Sequence, residues 1–207
     1  MTGKKTRKGS RGQAMIEVAI LGPVLILLLM IFTEYSLFFL AGQKIETLSR
    51  EAAQTAFHDC RGATDARERL VCLDRVANNT MEILTRVLAT SSTPVANGDF
   101  RIIMTSWQMN PAVPTEVIKT PPVAGTTNPV QRGALSGVSK YNNASDFDVA
   151  SAGGGNYNLI REIGGLFTCE IFYRHQASRS IPRSINFWDF TFSFPLLNNT
   201  IYAASAS

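Results

Sequence analysis

Residues 11–32 read RGQAMIEVAILGPVLILLLMIF, an apolar run with one carboxylate, Glu17, near its start. This segment constrains the chain more than any other, because about 20 apolar residues in a row are enough to cross a bilayer as a helix. A carboxylate inside such a helix costs about 2.5 to 3.5 kcal/mol on insertion scales, and ionisable residues kept there usually have a function. Against that cost stand 11 Val, Leu, Ile and Phe residues between positions 18 and 32. At up to about −0.5 kcal/mol each near the helix centre, they supply roughly −5 kcal/mol together. Insertion therefore survives Glu17, which sits near one end of the run.

Charge orients the segment. Lys4, Lys5, Arg7, Lys8 and Arg11 precede Gly12 with no acidic residue among them, so 15 basic residues face 16 acidic ones in the remainder. The basic pI of about 9.1 belongs mostly to this leader. Positive charge stays on the cytoplasmic side, which puts the amino terminus inside and everything after about residue 42 outside. The body is close to neutral and has no basic stripe interleaved with aromatics, which argues against nucleic acid as a partner. At 207 residues the chain has room for one membrane helix and one modest domain. The expected division is a basic leader at 1–12, a transmembrane helix at 13–41 and an extracytoplasmic domain at 42–207, with membrane lipid as one partner.

Residues 13–57 read as one nearly continuous helix in which Gly22 and Pro23 remove a hydrogen bond and invite a kink. At about 1.5 Å per residue it is roughly 67 Å long, more than twice a hydrocarbon core, so its second half must project from the membrane. Residues 14–33 match the membrane thickness and bring Glu34 and Tyr35 to the outer interface, where tyrosine is at home. Beyond it Leu37, Leu40, Ala41, Lys44, Ile45, Leu48, Ala52, Thr55 and Ala56 continue a helical stripe. Core packing and subunit packing look alike in such a stripe.

The spacing Gly12, Gln13, Ala14, Met15, Ile16, Glu17 resembles the processing site of type IV prepilins, where a peptidase cuts after the glycine and the glutamate becomes residue five. The resemblance implies cleavage between Gly12 and Gln13, and a pairing of Glu17 with the new amino terminus of Gln13 in a neighbouring subunit. Attraction at about 4 Å is on the order of 4 kcal/mol at an effective dielectric of 20, enough to choose an axial register but not to drive assembly. With Pro23, the pair Glu34–Tyr35 and the run Arg50, Glu51, Ala52, Ala53 in this order, the first third of the chain resembles the TadE family of pseudopilin-like proteins. Val18 stands where an aromatic is usual in that family, and Gln54 where an arginine is common.

What the resemblance implies is a non-catalytic minor pilin or pseudopilin of a Tad (Flp) pilus or secretion system, acting in assembly, priming or tip formation. Its implied partners are the prepilin peptidase, other pilin-like subunits and an inner-membrane assembly platform. Its implied place is the bacterial inner membrane, or the outside of the cell once in a filament. The alternative is an unprocessed signal anchor that holds an envelope binding protein and never enters a filament. A cleaved secretory signal fits less well, since the apolar run exceeds an h-region and a cut after Ala41 would put bulky Phe39 where a small residue belongs.

After Gly62, residues 65–88 read as a second helix: Leu70, Leu73, Val76, Ala77, Ile83, Leu84, Val87 and Leu88 recur near helical spacing, and the DARER run at 65–69 forms a solvated face. Residues 100–109, 166–174, 187–194 and 200–205 read as strands. The third alternates Trp188, Phe190, Phe192 and Phe194 against polar residues, an aromatic face that packs on the projecting helix or docks a partner. Five prolines and a triple glycine make 110–158 a long loop. The expected fold is α+β: a long membrane-spanning helix continuing into a small domain with a second helix and an antiparallel sheet of about 3–4 strands.

Three cysteines are few for a disulfide framework, yet Cys60 and Cys72 flank the turn at Gly62, outside the membrane where a bridge can persist. Either they pair or all three, with Cys169, are buried thiols. His58, Cys60 and Cys72 match no zinc spacing, so no metal site and no cofactor are expected. Gly153 to Gly155 lack the strand before and the lysine after that a phosphate loop needs. Asp146 with Asp148 and Glu162 with Glu170 are read as loop and strand-edge charges rather than an acid–base pair. Neither an enzyme nor a small-molecule substrate is expected.

Overall fold

The computed structural model describes residues 10–63, 65–89, 94–113, 116–125, 127–137, 139, 160, 165–174, 184–187, 190–193 and 201–206. The architecture is α+β, as the sequence patterns require. Helix α1 (Ser10–Cys60) runs without interruption through Pro23, and a turn leads to α2 (Ala66–Leu88). Asp65 caps α2, its carboxylate accepting from the Arg67 amide at 3.3 Å and satisfying one of the orphan N–H groups of the first turn. A single turn of 3-10 helix, Asn97–Asp99, delivers the chain into the sheet.

The sheet is antiparallel throughout and centres on β1 (Phe100–Met109) and β4 (Leu166–Arg174), with β7 (Ile201–Ala206) beyond β4. On the other side, β1 is long enough to take two short partners end to end. β2 (Val117–Lys119) pairs with its last residues, and β3 (Val130–Arg132) pairs with Ile102, Ile103 and Met104. The long loop expected at 110–158 thus contains two short strands. Strands of three residues are too short to carry a periodicity, and both are recruited by the edge of β1 rather than by their own pattern. Residues 140–159 lie outside the described residues.

The expected strand at 187–194 is corrected as well. β5 (Ser184–Phe187) and β6 (Phe190–Ser193) form a separate antiparallel pair with Phe187 opposite Phe190, so the alternating run contains a reversal. The packing of its aromatic face, Trp188 and Phe194 included, lies outside the described residues.

Helices cover one face of the sheet. Phe100, Ile102 and Met104 of β1 and Phe167, Cys169, Ile171 and Tyr173 of β4 point to them, and alternate residues point away, as strand geometry demands. They meet Ile45, Leu48, Ala52 and Ala56 of α1 and Leu70, Leu73, Val76 and Leu84 of α2. The stripe read from the sequence is thus core at Ala41, Ile45, Leu48, Ala52 and Ala56, whereas Leu37 and Leu40 are exposed. On the opposite face of the sheet Ile103, Leu135 and Phe172 form one small cluster, and Trp107, Val117, Ile160 and Leu166 another.

Polar groups register the layers. The buried Ser49 hydroxyl donates to the Cys169 carbonyl at 2.8 Å, tying α1 to β4. Arg132 of β3 donates to the Asn78 amide oxygen at 2.6 Å and pairs with Asp74, tying the short strand to α2. Asn128 acts as a piece of strand: its amide group donates to the Ser106 and Thr120 carbonyls at 2.9 and 2.8 Å and accepts from the Ser106 N–H at 3.2 Å. Gly133 has φ +83°, and a Cβ there would stand 2.2 Å from the Phe100 carbonyl oxygen, so only glycine fits the turn after β3.

Candidate membrane and assembly surface

Gly12 and Gln13 fall in the first turns of α1, which begins at Ser10. Glu17 follows Gln13 by four residues, about 6 Å along the axis and on the same side of the helix. Its side chain is exposed, as are nearly all those around it: Met15 is 78 % accessible and Ile16, Val18, Ile20, Leu25 and Ile26 are all above half. An apolar surface so continuous is foreign to a water-solvated helix. Among the described residues α1 is the one helix long and apolar enough to cross a membrane, so the chain has the form of a single-pass membrane anchor. Gly22 has no atom within 4 Å of where a Cβ would lie, so no part of the fold exploits its missing side chain.

Glu34 behaves differently from its surroundings. It is only 2 % accessible, while Thr33, Tyr35 and Ser36 on either side are exposed. It lies seven residues before Ala41 and eleven before Ile45, on the stripe that enters the core. The fold thus covers Glu34 itself, and Tyr35, expected beside it at the interface, faces outward.

At the far end of α1, Cys60 and Cys72 are joined by a disulfide with their Cα atoms 5.7 Å apart, close to the usual span for such a bridge. Cys169 is free and buried beneath α1. Burial pushes its thiol up to about 12, with the nearby Glu170 carboxylate adding to the effect and Ser49 opposing it. A thiol so held is a packing group, not a nucleophile.

The DARER run is only partly solvated. Arg69, its last residue, is buried, donating to the Ala63 carbonyl at 3.2 Å and the Gln108 amide oxygen at 3.5 Å. Desolvation lowers its pKa from the ordinary guanidinium value. Gly165 makes room for it, since a Cβ there would lie 3.0 Å from Arg69 Nη1. Periodicity could not single out Arg69 from its charged neighbours. The spacing Arg69, Leu73, Val76, however, does put it on the buried face.

Among the described residues no three His, Cys, Asp or Glu side chains converge as a metal site. The nearest approach to an acid–base pair is His58 with Asp59 at 3.3 Å, adjacent on an exposed helix surface and bordering only an open depression. Glu170 is a buried charge on the sheet, not a strand-edge charge: it is 3 % accessible and accepts from the Ser139 hydroxyl. The surface with most to explain is therefore the uncovered length of α1.

No curated protein and no solved structure matches this chain. A family model does, and its match begins at the glycine of the processing-like spacing and ends within the core-facing half of α1, short of α2 and the sheet. The model is that of TadE-like proteins, matched over residues 12–54.

Proposed function

We propose that this chain is a non-catalytic minor pilin or pseudopilin of a Tad (Flp) system, made as a prepilin and trimmed between Gly12 and Gln13. The TadE-like match carries the reading, because it associates the segment 12–54 with Tad pili, whose TadE-like proteins are structural. The exposed apolar length of α1 supports it. That length is stored in the inner membrane and exchanged for contact with other pilin-like helices when the subunit is drawn up by the assembly platform. Glu17, exposed and one turn from Gln13, is the charge that meets the freed amino terminus of a neighbour and selects register. Pro23, which cannot donate the hydrogen bond of its turn, gives the helix a point at which to bend as it changes surroundings.

A folded head on the covered half suits a subunit that primes or tips a fibre, since a bulk subunit needs little beyond the helix. The prepilin peptidase, on this reading, is the first partner met, and membrane lipid the solvent in which the precursor waits.

Intact mass and amino-terminal sequencing of the protein from its native membrane test the reading. A start at Gln13 is expected. Gly12→Leu should block trimming, and Glu17→Ala should leave trimming intact while weakening assembly. A native chain that keeps its leader, with piliation unaffected by either change, would instead identify an anchored envelope binding protein.

A further inference from the structure

Two faces of α1 change from apolar to polar at different heights. One face carries Leu27, Met30, Ile31, Glu34 and Phe38, partly or fully buried, and leads directly into Ala41, Ile45 and Leu48 of the core. The opposite face carries Leu25, Leu28, Phe32, Ser36 and Phe39, recurring at three and four residues, with Leu40 alongside. It is open along its whole length: Phe32 is 67 % accessible and Phe39 64 %. On this open face the polar residues begin at Gln43 and continue through Glu46, Thr47 and Arg50, all exposed.

We infer that the bilayer surface meets the open face of α1 between Leu40 and Gln43, not at Glu34 and Tyr35, and that this face from Tyr35 to Leu40 is a lipid-contacting surface. Three observations carry it. Glu34, the charge that would mark a boundary, is removed from solvent by the fold and presents nothing to the surroundings. The exposed apolar face is continuous with the membrane-spanning length and has the same chemistry, so one solvent serves both. The aliphatic hydroxyls along it are internally satisfied: Thr33 donates to the Met30 carbonyl and Ser36 to the Phe32 carbonyl, each at 2.8 Å. A hydroxyl bonded to its own helix is tolerated in hydrocarbon, where an unpaired one is costly.

The lengths agree with this placement. From Met15 to Leu40 the helix rises about 38 Å, more than a hydrocarbon core of about 30 Å but within the roughly 40 to 45 Å of a bilayer with its headgroups. Tilt absorbs the remainder. The inference concerns the membrane-resident chain and holds with or without its leader.

Single cysteines placed by Phe39→Cys, Leu40→Cys, Thr47→Cys and Arg50→Cys in the full chain carrying Cys169→Ala test it. Each is labelled with an environment-sensitive fluorophore after reconstitution at low density in phosphatidylethanolamine–phosphatidylglycerol vesicles. Labels at 39 and 40 are expected to be quenched several-fold more by lipid-borne nitroxide than by aqueous iodide, and labels at 47 and 50 the reverse. Iodide access at 39 and 40 equal to that at 47 and 50 would overturn the inference and return the boundary to Glu34. Shielding of 39 and 40 from both quenchers would overturn it too, by giving the face to another copy of the chain. All four positions are exposed, so the substitutions leave the core untouched.

Discussion

The two halves of α1 are one helix in two solvents. From Met15 to Leu40 large apolar side chains point outward on nearly every side, and from Ala41 to Cys60 the outward positions are polar, Gln43, Lys44, Glu46, Arg50, Glu51 and Gln54 among them. In the first half hydrophobicity is spread around the helix, as lipid or other helices require. In the second it is confined to one stripe, where Ala52, Ala53 and Ala56 bring the backbone close to the sheet and α2. The difference teaches that length and apolarity select the anchor, whereas the narrowing of the apolar surface to a stripe marks where the chain's own domain takes over. Glu34 sits where the two overlap, on the stripe yet within the apolar length.

That comparison can be broken or sharpened by substitutions that act on one half only. The largest effect is expected from a charge. Ile45→Asp buries a carboxylate in the core and should destabilise the head by about 3 to 5 kcal/mol, enough to unfold it. Leu25→Asp on the open half should leave the head's unfolding transition where it was and weaken only membrane insertion, by about 2.5 to 3.5 kcal/mol. Thermal unfolding of the full chain in detergent, followed by tryptophan fluorescence, reads the first. Partition between membrane and soluble fractions reads the second. Equal loss of fold from both would mean that the halves are not separate.

Next in size is the bridge that closes the covered half onto α2. Its sequence separation is 12, and a loop of that order is worth about 3 kcal/mol in the chain-entropy model. Replacing Cys60 and Cys72 together by serine should lower the unfolding midpoint, and non-reducing peptide mapping of the wild type should recover the two joined. Recovery of both as free thiols would count against the bridge.

Smaller still is Ser49→Ala, which removes the hydroxyl tying α1 to β4 and should cost about 1 kcal/mol. The equivalent change on the open half, Ser36→Ala, should cost the head nothing measurable, because that hydroxyl bonds only its own helix.

The smallest effect at neutral pH concerns Cys169, whose thiol is raised from 9.0 to about 12 in the folded chain. Folding favours its protonated form. The stability this group confers is therefore complete below about pH 9 and is lost as pH rises from there towards 12. Iodoacetamide at pH 8.5 should modify Cys169 only after unfolding. Rapid alkylation of the native protein would show that the helix does not seal β4.

Much of this was legible because the determining forces are local. The limits of α2 follow from a periodic stripe preceded by Asp65, a residue type suited to an N-cap, and β1 from a ten-residue segment rich in β-branched and aromatic residues. The two short strands were not legible, since β2 and β3 exist only as partners of β1. Nor was the reversal that splits the aromatic run at Phe187 and Phe190, for alternation is the same in one strand as in two. Among the charged residues, Arg69 and Glu170 read as solvated and Glu34 as interfacial, yet all three are buried in the fold.

By itself the sequence determined the anchor-like apolar helix, the processing-like spacing from Gly12 to Glu17 and the α+β class, because these depend on chain length, composition and short-range periodicity. Only the tertiary structure decided which face of α1 is core, which short segments become strands, and that Glu34 is buried within the fold. Those choices depend on which surfaces meet, and a side chain's solvent is set by neighbours that its own stretch of sequence does not name.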